Sequence, residues 1–331
     1  MASSTATFPL TLPAAFTERL ARIIPPEHLD SVFATFAAPH AVGFRINTLK
    51  ASAEAVLARL ADEGLRVEPV PGVPGASMVS ADQRPALLAS LPYAEGLVYV
   101  QNVSSQLPPL ALDPRPGERV LDLCAAPGSK TRQLACLIQD EGEIVAIEKV
   151  RDRFYKLRSN LAEQGAACVL PVLASGAAYW HREAEAFDRV LVDVPCSTEG
   201  RFRVAEPETT RYWSLRKIKE MQAKQRKLLF SGIQALKPGG TLVYSTCTFA
   251  PEENEAVLDK ALRTFGEAIE VVDAELPATG PVAAATQPGL TEWNGRTFDP
   301  QVAQTRRVLP DGLLEAFFVA RLVKHTSTLR N

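Results

Sequence analysis

From Tyr99 onward the chain alternates between short apolar runs and helical segments, and this rhythm restricts its fold more than any other property of the sequence. Strand candidates fall at 119–123, 143–147, 168–173, 188–193 and 240–245, with helical patterns at 130–138, 151–163 and 215–236. Strand–helix alternation of this kind builds an α/β fold: a mostly parallel sheet with helices on both faces. Pro238-Gly239-Gly240 reads as the end of the long helix and the turn into the next strand. The Pro/Ala/Gly-rich stretch 277–289 reads as an irregular surface loop, and 316–322 as a last strand.

Residues 1–100 have a different texture. A helix-like stretch from Leu20 to Phe36 is interrupted by Pro25-Pro26, a strand follows at 41–49, and a helix at 54–63 is closed by Gly64. A Pro- and Gly-rich strand-turn segment occupies 66–79. The expectation is a small N-terminal α+β domain over 1–100 and a larger α/β domain over 101–331.

Composition excludes several classes of protein. No apolar run approaches the roughly 18 residues that a membrane-spanning helix needs. The Ala/Ser/Thr/Pro-rich start lacks the charged and apolar regions of a secretory signal. The five cysteines (124, 136, 168, 196 and 247) are scattered, with no CxxC pair. That argues against a disulfide framework and against a zinc site, and fits a reducing, cytoplasmic setting with no metal. A net charge of -2 leaves any nucleic-acid contact to a local concentration of positive charge. Nothing in the sequence points to an obligate protein partner or a membrane.

In an open α/β sheet, ligands bind beyond the carboxyl ends of the strands, where the first β–α turn offers free N–H groups. Here that turn is Cys124-Ala125-Ala126-Pro127-Gly128-Ser129-Lys130, whose small residues admit close approach of a ligand. It matches neither the dinucleotide pattern nor the P-loop, so another adenosine-bearing cofactor is favoured. Glu148 ends the second strand, about 20 residues past the turn, where a carboxylate accepts from a ribose diol.

Two cysteines stand apart from the other three. Cys196 closes Leu191-Val192-Asp193-Val194-Pro195-Cys196 and Cys247 closes Thr241-Leu242-Val243-Tyr244-Ser245-Thr246-Cys247, both at the ligand edge of the expected sheet. Cys136 and Cys168 lie among apolar neighbours and read as small hydrophobes.

Four segments carry a close resemblance: Tyr99-Val100-Gln101-Asn102-Val103-Ser104-Ser105-Gln106, Cys124 to Thr131, Asp193 to Ser197, and Ser245 to Glu255. In this order they resemble the RNA (cytosine-5) methyltransferase family of the NOL1/NOP2/Sun, RsmB/RsmF type, over nearly the whole chain. The resemblance implies a Rossmann-like class I methyltransferase domain, an N-terminal domain that aids RNA binding, and S-adenosylmethionine as cofactor. It assigns Cys247 to attack on C6 of cytosine, Cys196 to proton removal and release, and Asp193 to the cytosine edge. It places the cofactor on Cys124 to Lys130, Glu148, Arg153, Asp193 and the residue after the third strand, here Ser175 where the family usually has Asp. Thr198 and Ala316 stand where the family commonly has glycine.

Between the two cysteine motifs, nine basic residues from Arg201 to Lys227 face only Glu206, Glu208 and Glu220, a local net of +6. Such a segment attracts a phosphate backbone. Arg201 and Arg203, directly after Cys196, are the residues expected to touch RNA; Phe202 and Trp213 are candidates for base stacking, with a core role weighed equally for Trp213. A DNA cytosine-5 methyltransferase would leave Ser245-Thr246-Cys247-Thr248 without a role. An assembly factor with weak or lost activity is the non-enzymatic alternative. Ribosomal RNA is slightly favoured over transfer RNA as substrate, by family analogy alone.

Overall fold

The computed structural model describes residues 12–329. A small antiparallel sheet comes first: β1 (Val42–Ile46), β2 (Glu68–Pro69), β3 (Ala76–Val79) and β4 (Val98–Val100), in the order β2-β3-β1-β4. The helix Ala53–Asp62 packs on it through Val56 and Leu60, which share a core with Phe44 and Val98. Ser52 caps that helix, its hydroxyl accepting from the Ala55 N–H at 3.3 Å.

The two proline-separated helices run Ala14–Ile23 and Pro26–Thr35. Pro26 sits at the first helical position, where its missing N–H would have had no helical acceptor. These helices pack toward the large sheet rather than the small one: Phe16 meets Phe202 edge-on at 4.9 Å and Phe36 at 5.7 Å.

The large sheet has nine strands. Its parallel half is β5 (Arg119–Asp122), β6 (Glu143–Glu148), β7 (Val169–Leu173), β8 (Phe187–Asp193) and β9 (Leu236–Thr246). Antiparallel strands extend it: β10 (Ile269–Val272), β11 (Thr286–Pro288), β14 (Arg306–Val308) and β15 (Phe317–Lys324), while β12 (Glu292–Trp293) and β13 (Arg296–Thr297) pair only with each other. The order is β11-β14-β15-β9-β8-β5-β6-β7, with β10 on β15. Both faces are buried, so alternate residues feed opposite cores. Val145 and Ile147 face the side holding Leu229 and Leu258, whereas Ile144 and Ala146 face Leu107, Leu134 and Leu157.

Two expectations are corrected. Pro238-Gly239-Gly240 does not join helix to strand, because the helix Leu215–Ala235 has already ended and Leu236 pairs with Phe187. Pairing resumes at Arg189 with Thr241, and the intervening residues bulge, since proline offers the ladder no donor. The stretch 277–289 is not irregular throughout. It holds the helix Gly280–Ala285, anchored by buried Val282, and the edge strand β11 on β14.

Candidate active site

The carboxyl ends of β5, β6, β7, β8 and β9 surround one cavity of about 380 Å³. On its floor, the turn after β5 leads into the helix Ser129–Leu137. Gly128 makes this turn with φ at +107°, where a Cβ would also stand 3.0 Å from Leu157. Asp122, buried beneath, braces the turn: its carboxylate accepts from Thr131 Oγ1 at 2.7 Å and from the Cys124 N–H at 3.3 Å. Burial pushes the Asp122 carboxyl up to about 6.

Glu148 ends β6 with its side chain almost wholly buried, accepting from the Val150 N–H at 2.8 Å. Arg153 lies 3.4 Å from its carboxylate and donates at 2.6 Å to the Ala126 carbonyl, tying the second strand end to the turn. Ser175, after β7, lines the wall beside Gly176. A Cβ on Gly176 would stand 2.5 Å from the Leu123 carbonyl, so only glycine lets the two strand ends approach this closely.

Across the cavity, Asp193 ends β8. Its Oδ1 accepts from Ser245 Oγ at 2.7 Å and its Oδ2 lies 2.8 Å from Lys130 Nζ. Lys130 is itself buried and donates to Ser105 Oγ at 2.8 Å, so the turn after β5 and the end of β8 share one ion pair. Three residues on, Cys196 Sγ stands 3.3 Å from Cys247 Sγ at the end of β9.

The two thiols differ electrostatically. The hydrogen bond shared with Cys196, together with the nearby Arg201 guanidinium, holds Cys247 below the usual thiol range despite burial. The same hydrogen bond, together with burial, raises Cys196 well above that range. One sulfur is thus biased toward thiolate and its neighbour toward thiol. Burial also raises Cys124, in keeping with a wall residue and not a nucleophile.

Of the catalytic, cofactor and RNA-contacting candidates read from sequence, all but Gly128 and Arg203 line this cavity, and neither base-stacking candidate, Phe202 or Trp213, does. Gly128 shapes the turn from behind. Arg203 turns toward Glu315, 3.3 Å away, and donates to the Phe202 carbonyl at 2.8 Å. Arg201 reaches the cavity, with Lys224 and Lys227 at its rim. Phe202 is fully buried against Phe16, which removes it as a stacking platform. Trp213 packs on the same cluster and donates to Glu199 at 2.8 Å, a structural position. Sequence reasoning assigned no role to Ser105 or Ser245, although both fall inside quoted motifs, and it left open what favours the Cys247 thiolate. Among the described residues no group of His, Cys, Asp and Glu could hold a metal, and no helix is long and apolar enough to cross a membrane.

A mostly parallel sheet with this cavity at its carboxyl edge places the protein among the Rossmann-like methyltransferases. More closely, the chain belongs to the RsmB/F methyltransferase family: the family described as 16S rRNA methyltransferase RsmB/F matches residues 109–323, and the N-terminal domain of 16S rRNA methyltransferase RsmF matches 12–103. The chain is 38% identical over 281 residues to the tRNA (cytosine(49)-C(5))-methyltransferase of Pyrococcus abyssi, covering 85% of this chain and 87% of that protein. It is 36% identical to ribosomal RNA small subunit methyltransferase F of Cronobacter sakazakii over 96% of this chain, but spans only 64% of that relative's length. A crystal structure of a methyltransferase homologue from Pyrococcus horikoshii superposes with a TM-score of 0.78 at 31% identity, covering 95% of this chain and 100% of that one.

Proposed function

We propose that this chain transfers a methyl group from S-adenosylmethionine to C5 of a cytosine in RNA through a covalent bond between Cys247 Sγ and C6. The observation that carries this reading is the sulfur pair, 3.3 Å apart at the end of the cavity, one biased toward thiolate and the other toward thiol.

The residues present fit the cofactor. The small Ala125 and Ala126 leave backbone accessible at the turn, and buried Glu148 ends β6 where a ribose diol would lie. Ser175 stands at the adenine end by the family's pattern. Bound there, S-adenosylmethionine supplies a methyl group activated by a positively charged sulfur.

Cytosine C5 is a weak nucleophile. Attack of the Cys247 thiolate on C6 breaks the ring's conjugation and loads electron density onto C5, which can then take the methyl group. Asp193, at the mouth between turn and thiols, holds the cytosine edge and supports protonation at N3 as charge develops there. Release requires loss of the C5 proton and cleavage of the C6–S bond. In that step the C5–H electron pair re-forms the C5–C6 double bond as the C6–S electrons return to Cys247 Sγ. Cys196, adjacent to the departing sulfur, is assigned to give its thiol proton to that sulfur and take the C5 proton in its place.

A base inside a helix cannot reach the buried Cys247 sulfur, so the target cytosine must be unpaired or flipped. Arg201, Lys224 and Lys227 at the rim supply positive charge for the flanking phosphates. The RNA is ribosomal or transfer RNA. The extent of the match to the Pyrococcus abyssi enzyme supports a transfer RNA as strongly as the family description supports a ribosomal one.

The test is expression of Cys196→Ser in cells, recovery of RNA that survives denaturing washes, and sequencing of it. Covalent RNA that disappears in the Cys196→Ser/Cys247→Ala double variant identifies both nucleophile and substrate. A folded Cys196→Ser protein that binds S-adenosylmethionine yet carries no RNA would overturn the role assignment and favour an RNA-binding assembly factor.

A further inference from the structure

The turn that carries Cys196 is not held by its own strand alone. Glu253, with none of its surface exposed, lies just beyond β9, and its Oε2 accepts from the Ser197 N–H at 3.0 Å. Gln225, equally buried on the helix Leu215–Ala235, donates through Nε2 to that same oxygen at 2.7 Å and to the Pro195 carbonyl at 3.0 Å. One buried side-chain pair therefore grips the main chain on both sides of Cys196. Behind it, the Tyr244 hydroxyl donates to the Glu253 carbonyl at 2.6 Å, anchoring the carboxylate's own backbone to the middle of the sheet.

Burying a carboxyl is costly unless it is fully partnered. Here Glu253 Oε1 and Gln225 Oε1 find no hydrogen-bond partner among the described residues. A glutamine–carboxyl pair left half-satisfied in a core is a poor choice for stability alone, since apolar residues of the same volume would avoid the cost. What the pair does accomplish is to fix two backbone groups, Pro195 O and Ser197 N, that bracket one sulfur. The Cys247 main chain has different ties: its carbonyl accepts from the Gly200 N–H at 3.0 Å, and among the described residues no hydrogen bond joins that main chain to the Glu253 or Gln225 side chain, the nearest link being the Ser197 and Thr248 hydroxyls at 2.7 Å.

We infer that Glu253, acting with Gln225, is a positioning residue for Cys196 and so governs release of the RNA rather than formation of the bond to it. The inference rests on the assignment of Cys196 to release made above. The pair sets where the Cys196 sulfur stands relative to Cys247. A turn freed from it would leave the nucleophile in place and let the releasing thiol wander.

The experiment compares wild type, Cys196→Ser, Glu253→Ala, Glu253→Gln and Gln225→Leu on a substrate RNA with S-adenosylmethionine. It measures covalent protein–RNA on denaturing gels, single-turnover methyl transfer and steady-state turnover. Glu253→Ala is expected to form the adduct and transfer one methyl group within about 3-fold of wild type, while turnover falls about 10-fold or more and adduct accumulates. Glu253→Gln, whose amide oxygen can still accept from Ser197, should recover most of that turnover. If Glu253→Ala does not fold, Gln225→Leu carries the same comparison by freeing Pro195 and removing one of the two donors that hold the Glu253 carboxylate. Equal losses in adduct formation and in release, or no rescue by Glu253→Gln, would reduce the pair to a structural role and overturn the inference. Failure of Cys196→Ser itself to trap RNA would instead overturn the role assignment on which the inference rests.

Discussion

Cys196 Sγ and Cys247 Sγ stand 3.3 Å apart, yet the environment treats them oppositely, lowering the thiol pKa of Cys247 and raising that of Cys196. Reactivity should follow. Iodoacetamide at neutral pH is expected to modify Cys247 before any other cysteine, as read by peptide mass spectrometry. Arg201 contributes part of this bias through its charge, so Arg201→Ala should slow that modification by about 10-fold and move its pH profile upward. An unchanged profile would mean that the Cys196 hydrogen bond alone favours the thiolate.

Asp193 occupies the junction of the two halves of the site, paired with Lys130 at 2.8 Å and accepting from Ser245 at 2.7 Å. Asp193→Asn keeps shape and the acceptor oxygen but removes the charge and the proton-carrying carboxyl. Turnover should fall by about 10² to 10⁴-fold, the range of a lost acid–base group. S-adenosylmethionine binding, measured by calorimetry, should change by much less. A comparable loss in both would place Asp193 with the cofactor rather than with the base.

The parallel half of the sheet was legible because its strands are continuous apolar runs separated by helical ones, and the site was legible because its residues sit at the ends of those runs. Lys130 and Asp193, 63 positions apart, show where the reading stopped. Each was flagged alone, but their ion pair depends on β5 and β8 being sheet neighbours, which no local pattern states. The same holds for Arg201, whose approach to Cys247 depends on the Gly200 N–H docking on the Cys247 carbonyl. Phe202 looked available for stacking because an aromatic beside arginines reads as surface. Its burial depends on the N-terminal helix that brings Phe16 across from almost the far end of the chain. The Pro-Gly-Gly bulge in β9 was misread for a simpler reason, since a turn and a strand bulge use the same residues.

Burial, aided by repulsion from Glu199, pushes the Glu253 carboxyl up to about 7. The charged and titratable neighbours that feel it are Glu199, Cys196 and Tyr244, all acidic groups that oppose its ionisation. The folded pKa exceeds the unfolded one, so the favourable contribution is complete below the unfolded value. It is lost as pH rises toward and through about 7. Glu253→Gln removes this dependence. Its free energy of unfolding relative to wild type, read by denaturant titration, should therefore improve from about pH 5 to about pH 8, approaching a gain of about 2 kcal/mol. A constant difference across that range would mean that Glu253 ionises in the fold as it does in the open chain.

Gly200 lies where three pieces of the active site converge. A Cβ there would stand 2.6 Å from the Ala316 carbonyl oxygen, 2.9 Å from the Ala316 Cβ and 3.1 Å from the Cys247 carbonyl oxygen. Two of these are backbone atoms of β9's end and of the residue before β15, so neither can move aside as a flexible side chain would. Gly200→Ala must instead push the Glu199–Arg201 turn outward, lengthening the Gly200–Cys247 hydrogen bond of 3.0 Å and carrying Arg201 away from Cys247. The expected cost is about 1–3 kcal/mol in stability by denaturant unfolding. Covalent RNA capture in the Cys196→Ser background should slow as well, because the charge that favours the Cys247 thiolate has retreated. Ala316→Gly added to Gly200→Ala removes only the Cβ contact and leaves both carbonyl contacts, so it should restore a minor part of the loss. Full rescue would show that the Ala316 methyl, and not the backbone approach, is what demands glycine at position 200.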